Sequence, residues 1–185
     1  AEPGYFEKGG TKEELFDELL KNSSYYYERF KDAPKLFEPK LITAFSVGVK
    51  QLYGNGYALT GNSTEFLDPV FSSGVTFATE SGLKAAKLAA RQLKGESVDW
   101  ETEYTEYIMQ GVETFKTYVK TWYSGDLQDI FFVEDENKEI KKQICSVLAG
   151  YVWDKNNQFV KNHKRAVPSL AKFIRSTCEN SNTGG

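Results

Sequence analysis

The sequence predicts an α+β fold that is mainly α-helical, with a short antiparallel β region followed by several helices. Apolar and small residues alternate from Leu41 to Val49, and Gly54-Asn55-Gly56 then provides a strong turn signal. A run of small residues predicts a helix over 76–93. Rings at helical spacing predict a second long helix over 100–122.

The composition limits the classes of protein and the kinds of site that the chain can form. A chain of 185 residues with 40% hydrophobic content can form a core, and a net charge of −3 argues against nucleic acid or an anionic membrane surface as partner. The sequence contains no apolar run long enough to cross a bilayer and no visible secretion signal, so we predict a cytoplasmic location. His163 is the only histidine, which argues against a catalytic triad and against a metal site. Cys145 and Cys178 are predicted to be free thiols.

The first forty residues predict two short helices. Thr11 and Glu14 have the spacing of a capping box, and the helix that they begin should end near Asn22. A tyrosine-rich second helix should end before Pro34. Its rings could line a substrate pocket, but packing on a sheet is the favoured interpretation.

The alternating segment predicts a strand that is covered on both faces, because both faces carry apolar or small residues. After the Gly54-Asn55-Gly56 turn, a short strand at 57–60 leads to Gly61.

The segment from Thr60 to Val75 predicts a strand, a loop of small polar residues and a helix N-terminus. Unpaired N–H groups and the helix dipole at such a place suit a negatively charged or electron-rich ligand atom. Gly61 would allow close approach of the backbone to a ligand, Asp68-Pro69 would fix the loop, and Ser72 or Ser73 would cap the helix.

This segment, Gly-Asn-Ser-x-x-Phe-Leu-Asp-Pro-x-Phe-Ser-Ser-Gly-Val, resembles the second flavin-contact motif of FAD-dependent halogenases and of the monooxygenases and dehydrogenases that share their fold. The usual form of that motif is Gly-Asp-Ala-Ala-x-Phe-x-Asp-Pro-x-Phe-Ser-x-Gly. The resemblance implies an incomplete half of an FAD/NAD(P)-binding flavoprotein fold. We expect the chain to be a C-terminal fragment, with the catalytic residues and the first flavin motif in a preceding half. We therefore expect no bound FAD and no turnover from the fragment alone.

The resemblance also implies a set of site residues. The cofactor-binding positions are Gly61, Asn62, Pro69, Ser72, Ser73, Gly74 and Val75. The halide positions are Ser73 and Gly74. Asn62 stands where the family has an aspartate, and an amide lacks the charge assistance that a carboxylate gives to a hydrogen bond. Phe71 stands where tryptophan-type halogenases have a glutamate, which favours a similarity to the phenol-type or carrier-bound pyrrole-type enzymes.

The helix over 76–93 should place small residues on one stripe and basic residues on the opposite, solvated side, and Gly95 should end it. The stripe comprises Ala78, Gly82, Ala85, Ala86, Ala89 and Ala90. We expect this face to be partly exposed, or covered by a second copy of the chain. The basic residues are Lys84, Lys87, Arg91 and Lys94.

In the C-terminal third, Asp99 should cap the long aromatic helix, whose rings we expect mainly in the core. An amphipathic helix should run from Ile140 to Tyr151. Pro168 fits the first turn of a final helix with Leu170, Phe173 and Ile174 inward. We thus predict a remnant of a substrate-side sheet with two helices over 1–60, a flavin-contact loop and helix over 61–95, and a helical region over 96–185.

The leading hypothesis is part of an FAD-dependent oxidoreductase resembling halogenases, which would use reduced flavin and oxygen on a small-molecule or carrier-bound aromatic substrate. A flavin reductase would be the implied partner. One alternative is a flavoprotein dehydrogenase or reductase of the same fold acting on a lipid-like substrate. The other is a non-catalytic helical interaction module, for which Asn62 is a weak argument.

Overall fold

The computed structural model describes residues 3–43, 46–133 and 137–182. The chain divides into two compact units, residues 1–44 and residues 45–185. Most of the described residues are helical, and the β structure is a small antiparallel component, as predicted.

The first unit contains a short 3₁₀ helix, Pro3–Glu7, and the helices α1 (Lys12–Asn22) and α2 (Ser24–Phe30). The capping box of α1 is confirmed, since the Glu14 amide donates to Thr11 Oγ1 (3.2 Å) and the Thr11 amide donates to Glu14 Oε2 (2.8 Å). The rings of Tyr25 and Tyr26 are 67% and 55% exposed. Their predicted packing on a sheet is therefore wrong, because the described part of this unit contains only helices and loops.

The second unit begins with four two-residue strands. Strand β1 (Val47–Gly48) pairs antiparallel with β4 (Glu65–Phe66), and β2 (Tyr53–Gly54) pairs with β3 (Tyr57–Ala58). The hairpin between β2 and β3 confirms the turn prediction, with Gly56 at φ +82°.

The long covered strand predicted over 41–49 is wrong for the residues that the structure describes; Ala44 and Phe45 lie outside them. Only Val47 and Gly48 are in a strand, and the side chains of Ile42 and Val47 are 75% and 63% exposed. Two paired residues of β4 provide too short a neighbour to extend or cover this segment.

The core of the second unit surrounds one long helical segment, which starts as a π-helix (Glu101–Glu106) and continues as α4 (Tyr107–Tyr123). Asp99 caps it, with Oδ1 accepting from the amides of Glu101 (3.1 Å) and Thr102 (3.2 Å). The prediction that the aromatic stripe is mainly core is confirmed by the burial of Tyr104, Phe115 and Tyr118. The π-helical start was not predicted. This segment packs against Phe77 and Leu88 of α3 (Gly74–Leu93) and against buried residues of the C-terminal helices.

The C-terminal helices are α5 (Asp126–Phe132), α6 (Lys138–Leu148), α7 (Gln158–Lys161) and α8 (His163–Asn182). Pro168 lies inside α8 rather than in its first turn, so that prediction is wrong. The helix starts earlier because the Asn162 carbonyl accepts from the amides of Arg165 (2.9 Å) and Ala166 (2.8 Å). Leu170 and Ile174 pack against the core as predicted, but Phe173 is 67% exposed, so its predicted inward position is wrong. Tyr151 lies beyond the end of α6.

Among the described residues, Cys145 is a free thiol, and the side chain of Cys178 lies outside the description. In the same residues, no cluster of His, Cys, Asp and Glu could bind a metal ion. None of the described helices combines the length and apolar character that a membrane span requires.

Candidate functional site

A cleft of about 230 Å³ lies at the amino end of α3. Six of the seven cofactor-binding positions predicted above line it: Asn62, Pro69, Ser72, Ser73, Gly74 and Val75. The other lining residues are Glu65, Phe66, Leu67 and Asp68. Residues that are up to thirteen positions apart in sequence therefore meet at one helix terminus.

Gly61 is the predicted residue that does not line the cleft. It is buried at φ +60°, and a Cβ there would lie 3.2 Å from Ala78 Cβ and 3.3 Å from Ala78 Cα. Its amide donates to Ser81 Oγ at 2.8 Å. Gly61 thus allows the loop to pack tightly on α3, and its N–H is already used within the protein.

The loop after Gly61 is stiffened by its own hydrogen bonds. The buried Thr64 hydroxyl donates to the Gly61 carbonyl (2.6 Å), and Ser63 Oγ donates to the Thr60 carbonyl (2.6 Å). These small hydroxyl residues supply bonds that a short loop cannot obtain from a sheet. The loop can therefore hold Asn62 beside Gly74, where a Cβ at residue 74 would lie 3.1 Å from Asn62 Oδ1.

Asp68 and Pro69 fix the second half of the loop, as predicted. Asp68 is extended (φ −154°, ψ 139°), which is the conformation that a following proline favours. Its Oδ1 accepts from the Val70 amide (2.8 Å), and its Oδ2 accepts from the Tyr123 hydroxyl (3.1 Å).

The start of α3 differs from the prediction in its capping. Ser72 is left-handed (φ +51°), and Ser73 has a helical backbone (φ −66°, ψ −16°) without a side-chain capping bond. The predicted serine cap is therefore wrong, because a capping residue needs an extended backbone that turns its oxygen over the first turn. The Ser73 carbonyl accepts from the Phe77 amide (3.1 Å), whereas the amides of Gly74 and Val75 form no hydrogen bond within the described residues.

Glu65 is a cleft residue that the sequence analysis missed. Burial raises the pKa of the Glu65 carboxyl, Lys116 opposes that rise, and Glu113 adds to it. Its signal in the sequence is an acidic side chain that, with Asp68, is one of two in a motif of otherwise uncharged residues.

The small-residue face of α3 forms a second, open groove of about 780 Å³ with the β2–β3 hairpin. In the single chain this face is partly exposed, since Ala78, Ala86 and Ala90 are exposed and Ala85 is buried. Coverage by a second copy stays a prediction. On the opposite, basic side, Lys87 and Lys94 are exposed as predicted, and Lys84 and Arg91 are half-buried. Lys84 Nζ lies 4.8 Å from the Tyr107 ring centroid, and Arg91 pairs with Glu96 and Glu103.

The cleft residues fit the pyrimidine edge of a flavin. Its carbonyl oxygens accept hydrogen bonds, and the unpaired amides of Gly74 and Val75 are donors at the positive end of a helix of twenty residues. Asn62 offers a further amide group beside them. When bound, a flavin would supply the redox chemistry, and the helix terminus would stabilise negative charge on the reduced ring.

No protein-family model matches the chain. A 1H-pyrrole-2-carbonyl-[peptidyl-carrier protein] brominase of Pseudoalteromonas luteoviolacea is 26% identical over 68% of the chain and 31% of its own length. The corresponding chlorinase of Pseudomonas fluorescens is 26% identical over 77% of the chain and 32% of its own length. A flavin-dependent halogenase of Armillaria mellea is 29% identical over 77% of the chain and 25% of its own length.

Among solved structures, a flavoprotein/dehydrogenase from Cytophaga hutchinsonii matches with a TM-score of 0.87 and 50% identity, over 96% of this chain and 44% of that one. The chain thus spans about a third of the pyrrole halogenases and less than half of this flavoprotein. The chain is a relative of the flavin-dependent halogenases and of this flavoprotein/dehydrogenase, and it has part of the fold of that flavoprotein.

Proposed function

We propose that the chain is the C-terminal part of an FAD-dependent oxidoreductase and supplies one wall of its flavin site. The observation that carries this proposal is the cleft at the amino end of α3, where six motif residues meet beside two unpaired amides. The relatives are two to four times longer than the matched region, which is consistent with a further half that completes the site.

Halogenation of an aromatic substrate is the activity that we favour. The amides of Gly74 and Val75, with the Ser73 hydroxyl, form a donor set that a halide ion can bind. Two relatives are named for a pyrrole carbonyl group on a peptidyl carrier protein, so a carrier-bound ring is the substrate class that we propose. A separate flavin reductase would then supply the reduced flavin.

The second candidate is a dehydrogenase or reductase of the same fold. It is favoured by the 50% identity to the flavoprotein/dehydrogenase, which is higher than the identity to any of the halogenases named above. This candidate would need no halide, and chloride or bromide would have no effect on its turnover.

The test is to purify the longer protein that contains this chain and to record its visible absorption after gel filtration. A flavin spectrum supports the proposal, and a colourless, folded protein that does not take up added FAD contradicts it in favour of a non-catalytic module. Reduced flavin, oxygen and bromide are then supplied with a pyrrole or phenol substrate. A brominated product supports halogenation, whereas oxidation that ignores bromide supports the dehydrogenase.

A further inference from the structure

Five cationic residues lie where the start of α8 meets α4. They form what we call the basic surface and comprise Lys116 and Lys120 of α4, Lys161 of α7, and Lys164 and Arg165 of α8. Two contacts hold the first turn of α8 against α4. His163 Nδ1 lies 2.6 Å from Thr117 Oγ1, and Lys164 Nζ lies 3.2 Å from Glu113 Oε2.

The basic surface has more positive charge than its acidic neighbour can compensate. The hydrogen bond from Lys164 is the main cause that lowers the pKa of the Glu113 carboxyl; burial opposes it, and the charges of Lys116 and Lys120 add to it. Among the described residues, Lys120, Lys161 and Arg165 are exposed and have no ion pair. An excess of positive charge therefore remains here, on a chain whose net charge is −3.

The placement of Lys164 and Arg165 is unfavourable within the chain itself. Both lie in the first turn of α8, where the amino end of a helix of twenty residues carries partial positive charge and favours acidic side chains. That turn contains no acidic residue. A partner that supplies negative charge at this place would offset the repulsion, which gives the arrangement a physical reason.

The basic surface adjoins the flavin cleft through α4. Tyr123, three residues after Lys120, donates a hydrogen bond to Asp68 of the cleft loop. Burial raises the pKa of Glu65, which lines the cleft, and Lys116 is close enough to oppose that rise. A protein bound at the basic surface would therefore lie beside the cleft, where a tethered substrate has to be delivered.

We propose that the basic surface is the docking site for an acidic face of the carrier protein that delivers the substrate. This proposal rests on the carrier-bound substrate proposed above, and it names the surface that this partner contacts. Attraction between the two faces would steer the carrier toward the cleft and would weaken as salt screens it.

The test measures binding to the longer protein by fluorescence anisotropy, with a labelled peptidyl carrier protein that carries a pyrrole-2-carbonyl group as the probe. Lys120→Glu and Arg165→Glu, at exposed residues without an ion pair, should each weaken binding about three- to tenfold. Lys87→Glu, at an exposed lysine of α3 outside the basic surface, is the matched control and should leave binding unchanged.

Arg165→Glu separates docking from a structural role. A glutamate in the first turn of α8 suits the helix dipole, so the midpoint of urea unfolding should rise although carrier binding weakens. If the midpoint and the affinity fall together, the effect on binding is structural and the proposal is overturned.

The salt dependence of the wild type gives a readout that needs no variant. Carrier affinity should fall about tenfold from low to physiological ionic strength, because exposed charges are screened. An affinity that does not change with salt would contradict the proposal. A DNA duplex is the control for a general polyanion, and equal affinities for DNA and the carrier would also overturn it.

Unchanged carrier binding in both Lys120→Glu and Arg165→Glu would overturn it as well. The anisotropy measurement involves no turnover, so its outcome is separate from that of the absorption experiment. A longer protein with a flavin spectrum that does not bind the carrier would overturn this proposal alone. A colourless protein that binds the carrier at the basic surface would overturn the flavin proposal and support this one.

Discussion

The hydroxyl of Tyr123 donates a hydrogen bond to the Asp68 carboxylate, with 3.1 Å between Tyr123 Oη and Asp68 Oδ2. Tyr123 is the last residue of α4, and Asp68 belongs to the cleft loop. The rings of Phe71 and Trp122 meet edge to face beside this bond, with 5.7 Å between their centroids. The loop is thus attached to the central helix of the core at two adjacent points.

Replacing Tyr123 by phenylalanine should release the loop without unfolding the protein. Tyr123 is 58% exposed, so the loss in unfolding free energy should stay below about 1 kcal/mol. Faster amide hydrogen exchange at residues 70–76 is the expected local effect. Tyr26→Phe, at a similarly exposed tyrosine of the first unit, is the control and should leave those amides unchanged. Unaltered exchange in Tyr123→Phe would show that this bond does not hold the loop.

Gly61→Ala should destabilise the second unit. A left-handed backbone costs a residue with a Cβ about 1–2 kcal/mol, and the new methyl would also press on the Ala78 backbone. We therefore expect a loss of about 2 kcal/mol or more in urea unfolding. Gly82→Ala is the matched control in the same region, because a Cβ there meets nothing within 4 Å and φ is not positive. It should stabilise α3 by roughly 0.5–1 kcal/mol. Equal effects of the two substitutions would refute the role assigned to Gly61.

Local signals predicted the parts of the fold that depend on neighbours in sequence. The capping box at Thr11 and the aromatic spacing from Tyr104 to Tyr118 are both set within a few helical turns. The prediction of a covered strand was wrong because burial of Val47 depends on residues that are distant in sequence. The alternating pattern around Val47 does not specify those residues. The prediction for Pro168 was wrong because hydrogen bonds to the carbonyl of Asn162 start α8 one turn earlier.

The predictions for the candidate site were right or wrong for the same reason as those for the fold. The motif places six residues at one helix end because the chain between them is short. The role of Gly61 could not be inferred locally, since its close neighbours are Ala78 and Ser81 on the next helix. Tyr123 is 55 residues from its partner Asp68, and no residue pattern near either position indicates that the two side chains form a hydrogen bond.

Asn62→Asp should increase the FAD affinity of the longer protein if the proposed function is correct. A carboxylate accepts a stronger hydrogen bond than an amide, and it would lie beside Gly74 at the positive end of α3. A gain of about three- to tenfold is expected by fluorescence titration. Asn55→Asp, in the hairpin turn and outside the cleft, should give no gain. If the Asn62→Asp variant binds FAD more weakly, the side chain at residue 62 does not accept a hydrogen bond from the flavin.

The titrations of His163 and Glu65 should change the stability of this chain in opposite directions as the pH falls. Burial and then Lys164 lower the pKa of His163, whose Nδ1 lies 2.6 Å from Thr117 Oγ1, and Glu113 opposes them. Below the unfolded pKa of about 6.5, the unfolded chain binds a proton that the folded chain refuses, so stability falls with decreasing pH. The raised pKa of Glu65 acts in reverse, since the folded chain binds its proton first as the pH falls toward the unfolded value of about 4.3.

Urea unfolding from pH 8 to pH 5 separates the two contributions. Carboxyl groups with a lowered pKa, such as that of Glu103, contribute slopes mainly below this range. His163→Gln should remove the loss of stability below about pH 6.5, because the chain has no other histidine. Glu65→Gln should instead steepen that loss, because it removes a group whose protonation favours the folded chain as the pH falls. An unchanged slope in Glu65→Gln would show that the Glu65 carboxyl titrates in the folded chain as it does in the unfolded chain.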